Sequence, residues 1–153
     1  MIRVMNTRVR AMMSHGGAPI PLWSYAWLAA GKVLRYTPKR RLGGKTPYEY
    51  VNNKLPDASV LKTMFCLMWI KDLNPQSKFS ERGLQGIFVG YGMGRAYDSS
   101  LRQYLCYLPE HHKVVRVPPE RATFDESMFP FHTMRKITHL IDSPIRIKYG
   151  DNR

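Results

Sequence analysis

Residues 86–98 read "GIFVGYGMGRAYD", an apolar run with Gly90, Gly92 and Gly94 close behind it. If these glycines cradle a phosphate, the next element is a helix whose N-terminus favours the anion. If they turn a hairpin, the next element is a strand. The succeeding stretch, "RAYDSSLRQYLCYL", holds a turn-forming "YDSS" and then Tyr104, Leu105, Cys106, Tyr107 and Leu108, an aromatic-rich run suited to a strand. The spacing is G-x-G-x-G, not the dinucleotide-binding G-x-G-x-x-G, and the acidic partner of that motif would fall in or after the second strand. The stretch predicts a β-hairpin and no nucleotide site.

On either side of it, "ASVLKTMFCLMWI", "LQGIFVGY", "RQYLCYL", "HKVVRV" and "ERATF" are short apolar or β-branched runs separated by "DLNPQSK", "GMGRAYDSS" and "PEHH". Strands at this spacing predict a small antiparallel barrel or sandwich over residues 55–127. Its expected core includes Leu61, Phe65, Ile87, Val89, Leu105 and Val115. Upstream the period changes. Ile2, Met5, Val9 and Met12 recur at helical spacing until Gly16-Gly17. Pro19 and Pro21 open a second helix, striped by Trp23, Ala26, Trp27, Ala30 and Leu34 and stopped by Thr37-Pro38. Both tryptophans read as core packing. "TPKRRLGGKTP" is a basic, glycine-rich loop, and Pro47–Asn52 a short helix with proline at its first position. The chain thus divides into a helical segment (1–37), a basic linker with a short helix (38–54), a β-rich module (55–127) and a tail (128–153) without a defensible period. Within the tail "SPIRIKYG" suits either an edge strand or disorder. The fold class is α+β.

The 153 residues, 44% hydrophobic and 23% charged, suffice for one domain with a core. The longest apolar stretch, Met64 to Ile70, is too short to cross a bilayer, and the N-terminus lacks the apolar core of a signal peptide. An intracellular location, the nucleus included, is expected. Cys66 and Cys106 lie in strand-like apolar runs and are expected to be reduced, inert thiols. The net charge of +13 is concentrated in the first third: residues 1–45 carry nine Lys or Arg and no acid, and the first acid is Glu49. A segment of this kind attracts polyanions, nucleic acid above all. A solvated face without a ligand, or the flank of a larger assembly, would carry the same charge.

"GGKTPYEYVNNKLPDASVLKTMFCLMWI", then "GIFVGYGMG", then "ATFDE" resemble, in order and spacing, the segment of copia-type retrotransposon polyproteins that joins the end of the integrase core to a small SH3-like barrel. The upstream "MNTRVRAMM", "GGAP" and Trp-led helix resemble the last helices of that core. The resemblance covers residues 1 to about 127, and "G-x-TPYE" followed by "LPD" is its specific part. Three departures stand out: Arg35, Tyr36 and Thr37 replace the usual Asn-Arg before the helix-ending proline, Phe65 replaces a glycine before the strand cysteine, and Pro118-Pro119 interrupts the last expected strand.

The resemblance implies an RNase H-like core remnant followed by an SH3-like barrel. It also implies a nucleic-acid role, since integrases join DNA ends with three carboxylates that hold two metals. It places those carboxylates outside this chain, and residues 1–48 contain no Asp or Glu to replace them. Asp57, Asp72 and Glu81 fall in predicted loops, and Asp125 and Glu126 point apart on a strand. His111-His112 with Cys106 and Cys66 lack the paired spacing of a zinc site. No cofactor, metal or catalytic residue is therefore expected, and the chain reads as a non-catalytic polyprotein fragment. Its expected partners are DNA, bound weakly and without sequence preference, and other regions of the polyprotein; no membrane partner is expected.

The expected nucleic-acid contacts are Arg3, Arg10, Arg35, Lys39, Arg40, Arg41 and Lys45, the last five on a flexible linker. Tyr91, Tyr97, Tyr104 and Tyr107 could stack on unpaired bases, although a hairpin suits packing as well. An inert remnant, or a protein–protein module whose basic arm is a severed interface, is the alternative. In either case the two N-terminal helices, lacking the core they would cover, are expected to be marginal.

Overall fold

A computed structural model of the chain describes residues 2–71, 83–92, 103–138 and 148–149. Helix α1 (Ile2–Gly16) ends where Gly17 takes a left-handed φ of 66°. A 3-10 turn at Ile20–Leu22 leads into α2 (Trp23–Tyr36). Thr37 closes α2 by donating its hydroxyl to the Val33 carbonyl at 2.7 Å, and Pro38 cannot continue the helix. The predicted short helix is α3 (Pro47–Asn52), capped by the Thr46 side chain, which accepts from the Glu49 N–H at 3.0 Å. Gly31, late in α2, faces Met5, early in α1, where a β-carbon on the glycine would lie 3.8 Å from Met5 Cε. The two helices therefore run antiparallel.

The five predicted strands are β1 (Leu67–Lys71), β2 (Gly83–Tyr91), β3 (Tyr104–Leu108), β4 (Lys113–Val117) and β5 (Ala122–Asp125). All neighbours in this set pair antiparallel, in the order β5-β1-β2-β3-β4, and the hairpin expected at the glycines is the β2–β3 pair. A two-residue β6 (Lys148–Tyr149) pairs parallel to β4, at the edge-strand position allowed by the sequence.

The double proline at 118–119 is where the sheet curls. In a flat five-stranded sheet the edge strands lie about 19 Å apart. The chain passes from Val117 on one edge to Ala122 on the other through a 3-10 turn at Pro119–Arg121. Such a turn rises only about 2 Å per residue, so five residues cannot reach across a flat sheet. The two edges must approach, giving an open barrel.

Pairing in register places Leu67, Ile87, Tyr107 and Val114 in one row and Phe88, Cys106 and Val115 on the opposite face. Phe88 fills the inner face, edge-on to Tyr91, Tyr104 and Phe124. Gly86 is required there, since any β-carbon would collide with Cys106 Sγ. A bulge between Phe88 and Gly90, with Gly90 at φ 144°, breaks the alternation, so Ile87, Phe88 and Val89 are all buried. On the outer row, Phe131 of α4 (Pro130–Thr138) stacks on Tyr107 with ring centroids 6.1 Å apart. Helix α4 occupies the start of the tail in which the sequence shows no period.

Four expectations need correction. Residues 58–66 are not strand: Asp57 accepts from the Ser59 N–H at 3.0 Å and starts a 3-10 turn at Ala58–Val60. Leu61 is only half-buried, as are Leu105 and Val115, although the last two pack on the core. Trp23 is 54% exposed: at the first position of α2 it is turned to solvent between the buried Leu22 and Tyr25. The helices do not lack a partner. Met5, Val9, Tyr25, Ala26, Ala29 and Ala30 belong to the same buried cluster as Phe65, Ile87 and Phe88.

Candidate nucleic-acid interface

Residues 39–45 are not a flexible linker. The Lys39 N–H donates to the Lys45 carbonyl at 3.0 Å, and the Lys39 carbonyl accepts from Gly44 at 3.2 Å and from Leu42 at 3.0 Å. Gly43 N–H donates to Arg40 and Lys45 N–H to Leu42, both at 3.1 Å. Two consecutive left-handed glycines, Gly43 and Gly44 at φ 64° and 83°, make this closure possible. The result is a knuckle whose ends are clamped together and whose backbone donors at 42–45 are spent internally.

The clamp fixes what the side chains can do. Arg40, Arg41 and Lys45 are exposed and Lys39 is half-buried. With the N–H groups of residues 39 and 42–45 occupied, an anion would be met chiefly by guanidinium and ammonium groups, which give charge and position without base reading. The knuckle is held between α2 and α3, whose Tyr36 and Tyr48 rings lie 5.3 Å apart. Lys45 also lines a shallow groove with Glu49, Asn53, Lys54 and Leu55. Tyr50, the residue after Glu49 in α3, is 64% exposed.

The remaining predicted contacts divide. Arg35 is exposed in the last turn of α2, next to the knuckle. Because α1 runs antiparallel to α2, Arg3 lies toward that same end, while Arg10 is about 10 Å further along α1. Both are exposed. Lys32, also in the basic third, is turned onto the barrel, with Nζ 3.8 Å from the centroid of the Tyr91 ring.

The tyrosines expected as stacking candidates are engaged elsewhere. Tyr104 and Tyr107 are buried, and Tyr91 accepts from the Lys62 N–H at 2.9 Å, with burial pushing its phenol up to about 12. Tyr97 lies outside the described residues. An aromatic that does face solvent, Tyr50 of α3, is not distinguished by the sequence. In a six-residue helix no period separates it from the packed Tyr48 two residues earlier.

Among the described residues no group of three or more His, Cys, Asp or Glu could hold a metal. Asp125 and Glu126 have local roles: the Ser127 hydroxyl holds Asp125, and the Thr63 hydroxyl and N–H hold Glu126, each below the usual carboxylate range. His112 Nδ1 lies 3.3 Å from the Tyr107 hydroxyl. Cys66 and Cys106 are free and buried, their thiols pushed up to about 12 by burial.

The curled five-stranded sheet with its helical cover coincides with a known family: residues 66–137 match the model of the retroviral polymerase SH3-like domain. Residues 66–137 belong to that family. The SH3-like domain thus begins at Cys66, ahead of β1, and ends inside α4. The wider chain is distantly similar to copia-type Pol polyproteins. It is 27% identical over 123 residues, 78% of its length, to the retrovirus-related Pol polyprotein from transposon RE1 of Arabidopsis thaliana. To the Pol polyprotein from transposon RE2 of the same plant it is 27% identical over 125 residues, 80% of its length. The chain spans 8% of the length of each of these curated relatives. No solved structure matches it. Among the described residues no helix is long and apolar enough to cross a membrane.

Proposed function

We propose that this chain is a non-catalytic part of a retrotransposon Pol polyprotein that associates with DNA during integration, its basic knuckle gripping phosphates while the SH3-like domain supports it. The clamped loop 39–45 carries this reading. It holds Arg40, Arg41 and Lys45 outward in a stretch without an acidic residue before Glu49. Fixing the loop in advance removes part of the ordering cost of binding. The non-catalytic reading is supported by the lack of any Asp or Glu in residues 1–48. Equilibrium binding of a fluorescent duplex to the parent and to the K39A/R40A/R41A variant tests it: the variant should bind distinctly more weakly, and equal binding would refute the knuckle as the contact.

A second reading, docking against other parts of the polyprotein, is favoured by the apolar groups left open around α1 and the start of α2. Ile20 is 80% exposed beside the exposed Trp23, and Ile2 and Val4 are exposed on α1.

A further inference from the structure

We infer that the knuckle and Tyr50 together form a binding surface for an unpaired nucleic-acid strand, with Tyr50 as the platform on which a base stacks. The inference rests on the nucleic-acid reading above and adds the kind of strand.

Four observations carry it. Tyr50 and Tyr48 sit two residues apart on a helix of six, yet their environments differ: Tyr48 packs against Tyr36 with ring centroids 5.3 Å apart, whereas Tyr50 is left 64% exposed. An exposed aromatic ring gains little from water, and its flat face is available to another ring. The cations nearest to it in the chain are arranged around the same helix. Lys45 precedes the Thr46 cap, Lys54 follows the C-terminal Asn53, and both border one groove with Glu49, whose α-carbon is one peptide step from that of Tyr50.

The backbone holding the ring is fixed at both ends. Tyr50 N–H donates to the Thr46 carbonyl at 2.9 Å, and Asn53, in a left-handed conformation, closes the helix on the Glu49 carbonyl at 2.8 Å. Finally, the knuckle's N–H groups at 39 and 42–45 are spent within the loop, so its contact with nucleic acid is chiefly through side-chain charge, which follows a backbone but cannot by itself distinguish duplex from single strand. An adjacent stacking ring supplies that distinction, because a base inside a duplex has no free face, whereas every unpaired base offers one.

The test compares a labelled oligo(dT), which cannot form a stable duplex with itself, with a labelled mixed-sequence duplex, using the full chain in one buffer. Variants are Tyr50→Ala, Tyr50→Phe and K39A/R40A/R41A. Tyr50 is on the surface, so its variants should melt as the parent does. On oligo(dT), Tyr50→Ala should lose between about fivefold and a hundredfold in affinity, the range expected for one base–aromatic stack. Tyr50→Phe, which keeps the ring, should bind as the parent. Neither change should alter duplex binding, and the triple variant should weaken both. If Tyr50→Ala binds oligo(dT) as tightly as the parent while the triple variant is impaired, the stacking inference is overturned and the nucleic-acid reading stands. If the triple variant matches the parent on both ligands, or the parent binds neither, both are overturned.

Discussion

Gly16 and Phe65 occupy one space: a β-carbon on Gly16 would lie 2.5 Å from Phe65 Cβ and 2.8 Å from the edge of its ring. The last residue of α1 is therefore pressed onto the residue that precedes the SH3-like domain. Gly16→Ala is expected to cost about 1–3 kcal/mol, the range for overfilling a packed site, and to lower the melting temperature of helices and sheet together. Circular dichroism of the helices and near-ultraviolet signals from the barrel should shift to the same new midpoint.

Phe65 is fully buried at a φ of 65°, which costs an L-residue roughly 1–2 kcal/mol. Glycine, usual here in the family this chain resembles, would relieve that cost but lose a buried ring typically worth about 3–5 kcal/mol. Phe65→Gly should accordingly destabilise by about 2 kcal/mol net. Gly16→Ala should cost far less when combined with it, and a double-mutant cycle by denaturant unfolding measures that coupling.

Glu126 keeps its charge to lower pH in the folded chain than in the unfolded one, since the Thr63 hydroxyl and N–H stabilise the carboxylate. Its contribution is present above the ordinary value of 4.5 and is lost as pH falls through the lower folded value. Asp125 acts in the same direction through Ser127. The melting temperature should therefore fall below pH 4.5 in the parent, and less steeply in Glu126→Gln.

Burial raises both thiols from 9.0 to about 12, so the folded chain resists losing their protons. Their contribution to stability is complete below 9.0 and declines as pH rises toward 12. Iodoacetamide should leave Cys66 and Cys106 unmodified in the native chain and alkylate both in denaturant, as mass spectrometry would show.

Much of this architecture is legible in the sequence because local rules and tertiary demands agree. The β2–β3 hairpin follows from an aromatic run behind glycines, and α3 from Pro47 at its first position. What is not legible depends on closure. Nothing in "TPKRRLGGKTP" reveals that Lys39 and Lys45 bond to each other, since glycines permit a flexible loop and a clamped one alike. The burial of α1 is hidden because its apolar stripe does not name its partner, which includes Phe65. Pro118-Pro119, an interruption of a strand by sequence, is the corner by which the sheet closes.

Whether the knuckle grips phosphates is read from the salt dependence of duplex binding. Arg35, Lys39, Arg40, Arg41 and Lys45 together would release about five counterions, so log K against log salt should have a slope of roughly −4 to −5. In K39A/R40A/R41A that slope should flatten by about 3 units while the melting temperature of the SH3-like domain is unchanged. The same slope in parent and variant would mean that the knuckle makes no phosphate contacts.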